Sequence, residues 1–259
     1  MKCFRHGFTL VELITVMMVL GILSVGTVKF INDSSQGFAS TISRSELASE
    51  SRFLIQRLSR ELREALPNSV RVSGPCIEYV PIVAASRYDE VPIASPDLSF
   101  LAIPVEPTLS SAPVHAAVYP EGDLYTLSSV GSVSPIVTVS SPDGNNQVTV
   151  SFTAAHRFMQ QSPTKRVYLV STPVSYCLDD AKLYRYSNYG FQALQGVPAT
   201  LPGNLPNRAL AAERIISATP FSVVQASLAR NAIVSLDIEF SRGNDVLLVN
   251  QSVQVRNVP

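Results

Sequence analysis

The sequence predicts an α+β fold, in which one long N-terminal helix packs on an antiparallel sheet with an irregular, β-rich insertion. All 18 prolines lie at or after Pro67, and proline breaks helix interiors, so the chain before it is free to be helical. Apolar residues recur at helical spacing in that first part. Beyond Pro67 they alternate along short segments separated by turn residues, which is typical of strands.

Composition excludes several classes of function. The chain has 259 residues, 46% of them apolar, and its formal net charge is zero. A near-neutral chain gives no electrostatic reason to expect nucleic acid as a partner. The sequence contains no phosphate-binding loop, nucleophile elbow or zinc-protease motif, so we expect no cofactor and no enzymatic activity. His115 and His156 have mostly small neighbours and are not expected to be catalytic.

The N-terminus is predicted to cross a membrane. Lys2 and Arg5 precede an apolar run and favour the cytoplasmic side. No charge occurs from Leu13 to Val28, and a helix from Phe8 to Val28 would be about 31 Å long, roughly one bilayer core. Lys29 is expected to reach the opposite interface rather than mark a kink.

A conventional signal peptide is the main alternative, with Ser24 and Gly26 as a cleavage site of small residues. The apolar run is longer than a usual signal core, and it contains a carboxylate, Glu12, in its first turns. A carboxylate at mid-membrane costs about 3 kcal/mol and is normally kept only for a function.

The segment Gly7-Phe8-Thr9-Leu10-Val11-Glu12 resembles the processing motif of type IV prepilins and of type II secretion pseudopilins. This resemblance implies that residues 1–7 are a leader removed by prepilin peptidase between Gly7 and Phe8. It also implies that the same enzyme N-methylates the new Phe8 amine. Gly7 suits such a site because it has no side chain to obstruct the protease.

The resemblance also implies partners. The Phe8 amine of one subunit would pair with Glu12 of its neighbour inside an apolar bundle, where a single buried charge is costly. Other minor and major pilins would then contact the chain through its N-terminal helix, and an inner-membrane assembly platform would extract it. We therefore expect a single-pass inner-membrane protein with a periplasmic head that later reaches a cell-surface pilus.

The predicted domains follow from these patterns. Residues 8–31 are the membrane and filament-core half of the helix, residues 32–66 are its amphipathic half, and residues 67–259 are a β-rich periplasmic head. In the amphipathic half Leu54, Leu58, Leu62 and Ala65 form an apolar stripe, and the helix should end by Leu66 because proline disfavours helical geometry before it. The pairs Arg57–Glu61 and Arg60–Glu64 are expected to be surface pairs worth a few tenths of a kcal/mol.

Several strands and one short helix are predicted in the head. Residues 84–132 are rich in proline and serine and are predicted to be mostly irregular, and residues 195–207 are predicted to be a loop. Asn207 is expected to cap a short helix through Ile216. The predicted strands are Cys76–Val80, Phe100–Ile103, Ile136–Ser140, Gln147–Phe152, Val167–Val170, Val174–Leu178, Leu183–Tyr186 and two terminal strands joined at Arg242–Asp245.

Three cysteines occur, of which Cys3 lies in the expected leader. Cys76 and Cys177 would remain in the mature chain. In an oxidising periplasm they either form a disulfide or stay as buried free thiols. Asp179 and Asp180 would suit a calcium site only with several more oxygen ligands, so a solvated turn is expected there and no metal.

Short segments of the head resemble minor pilins of mannose-sensitive haemagglutinin (MSHA) pilus systems. That resemblance implies a low-abundance subunit that primes or enters a type IV pilus. The alternatives are a minor pseudopilin of type II secretion and a tip adhesin or DNA-binding pilin that uses the insertion at 84–132. The resembling segments are Glu61–Pro67, Cys76–Ile82, Ser86–Tyr88, Tyr176–Leu178, Leu183–Tyr186 and Val255–Pro259.

Overall fold

The structure is a computed structural model that describes residues 9–105, 113–204, 206–225 and 231–256. The chain divides into two compact units, Met1–Ala48 and Ser49–Pro259. One long helix and antiparallel β-sheets make up the described residues, which confirms the predicted fold class. The boundaries predicted for the leader and for the two halves of the helix stay predictions.

Helix α1 spans Leu10–Arg63 and is continuous through Lys29 and the polar segment after it. Its end is fixed by the sheet as well as by Pro67. The backbone N–H of Leu66 donates to Val80 O (2.8 Å), and that of Ile82 donates to Glu64 O (3.1 Å). These bonds replace the next helical turn, so the prediction that the helix ends by Leu66 is confirmed.

Fourteen strands follow in the described part of the chain, and they form three sheets. Their bounds are β1 Arg71–Ser73, β2 Cys76–Tyr79, β3 Ile82–Arg87, β4 Asp97–Ala102, β5 Val114–Val118, β6 Val133–Val139, β7 Val148–His156, β8 Arg166–Val170, β9 Val174–Asp179, β10 Lys182–Tyr186, β11 Arg208–Ala212, β12 Phe221–Val224, β13 Ala232–Arg242 and β14 Asp245–Val255.

The five-stranded sheet has the order β1-β2-β9-β10-β11, and β2 and β9 lie next to each other in antiparallel register. The strands between them in sequence belong to another sheet. Residues 80–173 are therefore an excursion that leaves from β2 and returns at β9, its neighbour. The turn between β9 and β10 places Asp180 and Ala181 at positive φ, the geometry of a tight hairpin.

The six-stranded sheet, in the order β3-β8-β5-β6-β7-β4, is built entirely from this excursion. It curls until its two outer strands meet: Ile103 N donates to Arg87 O (2.9 Å), and Tyr88 pairs with Ala102. Its interior is filled by apolar side chains, including Phe100, which contacts neighbouring aromatic rings. Closure removes the exposed edges of this sheet.

The three-stranded sheet, in the order β12-β13-β14, follows the predicted alternation closely. Val234, Leu236, Ile238 and Phe240 of β13 are fully buried, and the residues between them are partly exposed. The turn before β14 has Gly243 at a φ of +60°, which glycine adopts without strain.

Two predictions about the head are corrected. The helix predicted from Asn207 to Ile216 is wrong, since strand β11 pairs with β10 there and Ile215 bridges to Phe240. Residues 84–132 are also less irregular than predicted, because β4, β5 and part of β3 lie within them. Every residue of β5 is buried, so it lacks the alternation that identifies a half-exposed strand.

Candidate assembly site on the N-terminal helix

The first turn of α1 is capped by Thr9. The backbone N–H of Glu12 lies 3.1 Å from Thr9 O and 3.3 Å from Thr9 Oγ1, which is the arrangement of a helix N-cap. Glu12 therefore occupies the first turn, where a carboxylate is favoured by the positive end of the helix dipole. Gly7 and Phe8, the predicted processing site, lie outside the described residues.

The apolar part of α1 is exposed along its whole length. An 18-residue window of the helix reaches a mean hydropathy of 2.2, long and apolar enough to cross a membrane. Large apolar side chains face outward on every side, with Leu10 74% and Val25 72% exposed. A helix that is apolar all round must be covered by lipid or by other helices.

Hydroxyl groups in this segment are satisfied within the helix. Thr15 Oγ1 donates to Glu12 O (2.9 Å), Ser24 Oγ to Leu20 O (2.6 Å) and Thr27 Oγ1 to Leu23 O (2.8 Å). These side chains are thus compatible with a hydrocarbon environment, where an unpaired polar group is costly. From Thr9 to Val28 Glu12 is the one ionisable side chain in the sequence.

A second carboxylate, Glu61, joins the C-terminal end of α1 to the strands of the head. Its carboxylate accepts from Arg57 Nε (2.9 Å), Tyr176 Oη (3.2 Å) and Arg185 Nε (3.2 Å), and also from Tyr79 Oη. Burial raises the pKa of Glu61, but the hydrogen bonds and the charge of Arg185 outweigh burial and lower it overall. Sequence reasoning predicted only the Arg57 pair.

A further carboxylate on α1, Glu50, contacts the loop after β11. It accepts from the backbone N–H of Glu213 (2.7 Å) and from Arg214 Nη1 (3.0 Å). Arg214 has a φ of 61°, a conformation that L residues rarely adopt, and the Glu50 contact fixes its side chain. The sequence carries no local signal for this contact.

Glu78 is fully buried in β2. It pairs with Arg71 and accepts from Tyr189 Oη (2.8 Å). Arg71 also donates to the carbonyls of Gln192 and Ala193, both at 2.7 Å. The pair therefore holds the long loop after β10 against the five-stranded sheet. The alternation in Cys76–Val80 predicts the strand but not this partner.

Cys76 and Cys177 are disulfide-bonded in the structure, with sulfurs 2.02 Å apart. They are direct cross-strand neighbours on β2 and β9, and both are fully buried. Of the two alternatives left open by the sequence, the structure has the bonded one. Tyr186 and Leu201 pack on the bond and shield it from solvent.

The residues considered for other chemistry have structural surroundings. His115 Nδ1 lies 2.9 Å from Ser134 O, His156 Nδ1 lies 3.1 Å from Ser128 O, and burial lowers the pKa of both histidines. Asp179 pairs with Arg208 (2.6 Å) at the hairpin turn. No cluster of three or more metal-ligating residues occurs in the part of the chain that the structure describes.

Comparisons with known proteins point to the same segment. The prokaryotic N-terminal methylation motif matches residues 3–28, which include Gly7, Phe8 and Glu12. No curated protein and no solved structure matches the chain significantly. The apolar helix and the motif fit an inner-membrane anchor with a soluble head. The methylation motif thus supports a type IV pilin-like protein that prepilin peptidase processes and that assembles with other pilins.

Proposed function

We propose that the chain is a minor pilin of an MSHA-type type IV pilus, where it primes assembly or enters the filament. The observation that carries this proposal is Glu12, the one ionisable residue between Thr9 and Val28, in the first turn of a helix whose N-terminal apolar part is exposed. The segments that resemble the MSHA minor pilin MshO, together with a head of about 190 residues, favour a minor over a major subunit.

Processing comes first in the proposed mechanism. Prepilin peptidase cuts between Gly7 and Phe8 and methylates the Phe8 amine, which leaves a positive charge at the start of an apolar helix. Because neither that amine nor the Glu12 carboxylate is stable alone in hydrocarbon, each gains by meeting its counterpart on a neighbouring subunit. The pairing fixes the axial stagger of adjacent helices and favours transfer from the membrane into the filament.

Mass spectrometry of the mature N-terminus tests processing. We expect a chain that starts at an N-methylated Phe8. A chain that starts at Thr27, after the apolar run, would mean conventional signal-peptide cleavage and would remove the anchor on which the proposal rests.

Substitution of Glu12 tests the assembly role. Glu12→Ala should leave cleavage largely intact and strongly reduce the number of pili, because the neighbouring amine then has no counter-charge. Asp33→Ala is a matched control, since Asp33 is an exposed carboxylate further along the same helix. Normal piliation in Glu12→Ala would refute charge pairing.

Gene deletion separates the MSHA role from the pseudopilin alternative. Loss of the chain should reduce MSHA-type pili and leave secretion of folded proteins unchanged. The reverse result would assign it to type II secretion. The adhesin alternative would hold only if a variant of the head specifically reduced binding of the pili to cells, glycans or DNA.

A further inference from the structure

The outer edge of β14 carries a row of backbone groups that point away from its sheet. On β13, Asp237 N donates to Pro220 O (2.9 Å) and Glu239 O accepts from Ile216 N (2.9 Å), so the odd-numbered residues of β13 face away from β14. Its even-numbered residues face β14, where their partners in register are odd-numbered. The residues of β14 whose N–H and C=O point outward are therefore Val246, Leu248, Asn250, Ser252 and Gln254.

No described strand pairs with this edge. One of its acceptors has a local partner, since Gln251 Nε2 donates to Ser252 O (2.9 Å). In the described residues, the pairing of β13 and β14 runs without a bulge over all 11 residues of β14, so the edge is long and regular. Exposed edges of this kind are templates for a further strand.

Other edges in the described part of the molecule are protected. The six-stranded sheet closes on itself at Arg87 and Ile103. The outer strands of the five-stranded sheet have only 3 and 5 residues, and β12 has 4. Natural proteins blunt edges with short strands, charges, prolines or bulges, and β14 has none of these between Val246 and Val255.

The side chains along this edge indicate which kind of strand would fit beside it. Val246 and Leu248, at the hairpin end, are 57% and 60% exposed, whereas the remaining outward residues are polar and uncharged. Arg256 follows this row. An antiparallel strand that is neutral in its middle and acidic beside Arg256 would match both the hydrogen bonds and that charge.

We propose that the outer edge of β14 takes an additional antiparallel β-strand from another polypeptide, an extended and largely uncharged segment with apolar residues opposite Val246 and Leu248. The proposal does not depend on the proposed role in a pilus, because it concerns the head alone.

A peptide of designed sequence tests the proposal on the full chain in detergent. The probe has the length of β14, 11 residues, with glutamate first, valines at the two positions opposite Val246 and Leu248, and threonine elsewhere. The matched control peptide has lysine in place of the glutamate, so that like charges meet beside Arg256 in the antiparallel alignment. We expect saturable binding of the probe, weaker binding of the control, and slowed hydrogen exchange at the five outward amides.

Two variants of the chain locate the binding. Leu248→Pro removes one outward N–H and leaves the ladder to β13 in place, and should weaken binding about tenfold, the worth of roughly one hydrogen bond. Leu248→Lys adds a charge to the edge and should weaken binding without any backbone change. Leu194→Lys is the matched control, because Leu194 is 86% exposed in a loop elsewhere on the head.

Three binding results would overturn the proposal: no binding of the probe to a chain with its disulfide intact, equal binding by Leu248→Lys and Leu194→Lys, or unchanged exchange of the outward amides. Self-association of the chain would also overturn it. If Asn250→Cys gives a covalent dimer of the full chain, a second copy occupies the edge rather than a different polypeptide. Each result is independent of whether Phe8 is methylated, so this proposal and the pilus role fail separately.

Discussion

Glu61 shows how one side chain can join parts of the molecule that are distant in sequence. Its partners Tyr79, Tyr176 and Arg185 are 18, 115 and 124 residues away. The side chain is 19% exposed, so water screens these contacts only partly. Sequence spacing revealed Arg57, one helical turn away. The other three contacts are produced by the five-stranded sheet, which places β2, β9 and β10 beside α1.

Glu61→Gln should destabilise the head by about 2 kcal/mol at neutral pH, because Arg57 and Arg185 lose their counter-charge while remaining partly buried. Urea unfolding of the full chain in detergent, followed by circular dichroism, measures this. Glu64→Gln is the control, since Glu64 is an exposed carboxylate in the turn directly after the same helix. Equal unfolding midpoints for the two variants would contradict the assigned role.

The pH dependence follows from the lowered pKa of Glu61. A carboxyl group whose folded pKa lies below its unfolded value of about 4.3 stabilises the protein above that pH, and the stabilisation is lost as pH falls through the folded pKa. The difference in unfolding free energy between wild type and Glu61→Gln should therefore shrink from pH 7 to pH 3. A constant difference would show that the charge of Glu61 is not what stabilises.

At the scale of elements, local sequence signals predicted those elements correctly whose structure depends mainly on neighbouring residues. The end of α1 follows from Pro67, and the β13–β14 hairpin follows from alternation and a glycine turn. The helix prediction for the segment from Asn207 to Ile216 was wrong. Its alanines and leucine are good helix formers, but propensity is a small term for each residue and pairing with β10 outweighs it. Only tertiary structure could correct that prediction.

The β6–β7 hairpin offers a test of a correctly predicted element. Asp143 Oδ1 accepts from the backbone N–H groups of Asn145 (2.9 Å) and Gln147 (2.8 Å), which stabilises the turn. Asp143→Ala should lower the free energy of unfolding by about 1 kcal/mol, and Asp143→Asn, which keeps an acceptor oxygen, should recover most of it. Equal losses in the two variants would show that the acceptor is unimportant.

At the scale of the whole molecule, the sequence predicted the processing motif, the anchor and the fold class but not the division into three sheets. Cross-strand partners such as β2 and β9 are far apart in sequence, and no local pattern specifies which strands pair. The membrane-facing half was predictable because its chemistry lies in consecutive residues. The carboxylate contacts of the head were not predictable, because Glu50, Glu61 and Glu78 bind partners that lie far away in the sequence.

The disulfide should stabilise the whole head. Cys76 and Cys177 are separated by 101 residues, and a loop of that size corresponds to about 4–5 kcal/mol of lost chain entropy in the unfolded state. The double variant Cys76→Ala, Cys177→Ala should unfold at clearly lower urea concentration than wild type. Cys3→Ser should not, since that residue lies in the predicted leader. Equal midpoints for all three chains would mean that the covalent bond adds nothing.

The excursion between β2 and β9 has a consequence for how this head can change. Its entry and exit lie side by side on strands that are cross-linked by sulfur, and its closed sheet has a core of its own. A second buried cluster joins it to the rest of the head, because Leu66 and Phe191 pack with Tyr125 and Tyr168. Changes of length or sequence should therefore be tolerated best in the loops of the closed sheet that lie away from Leu66.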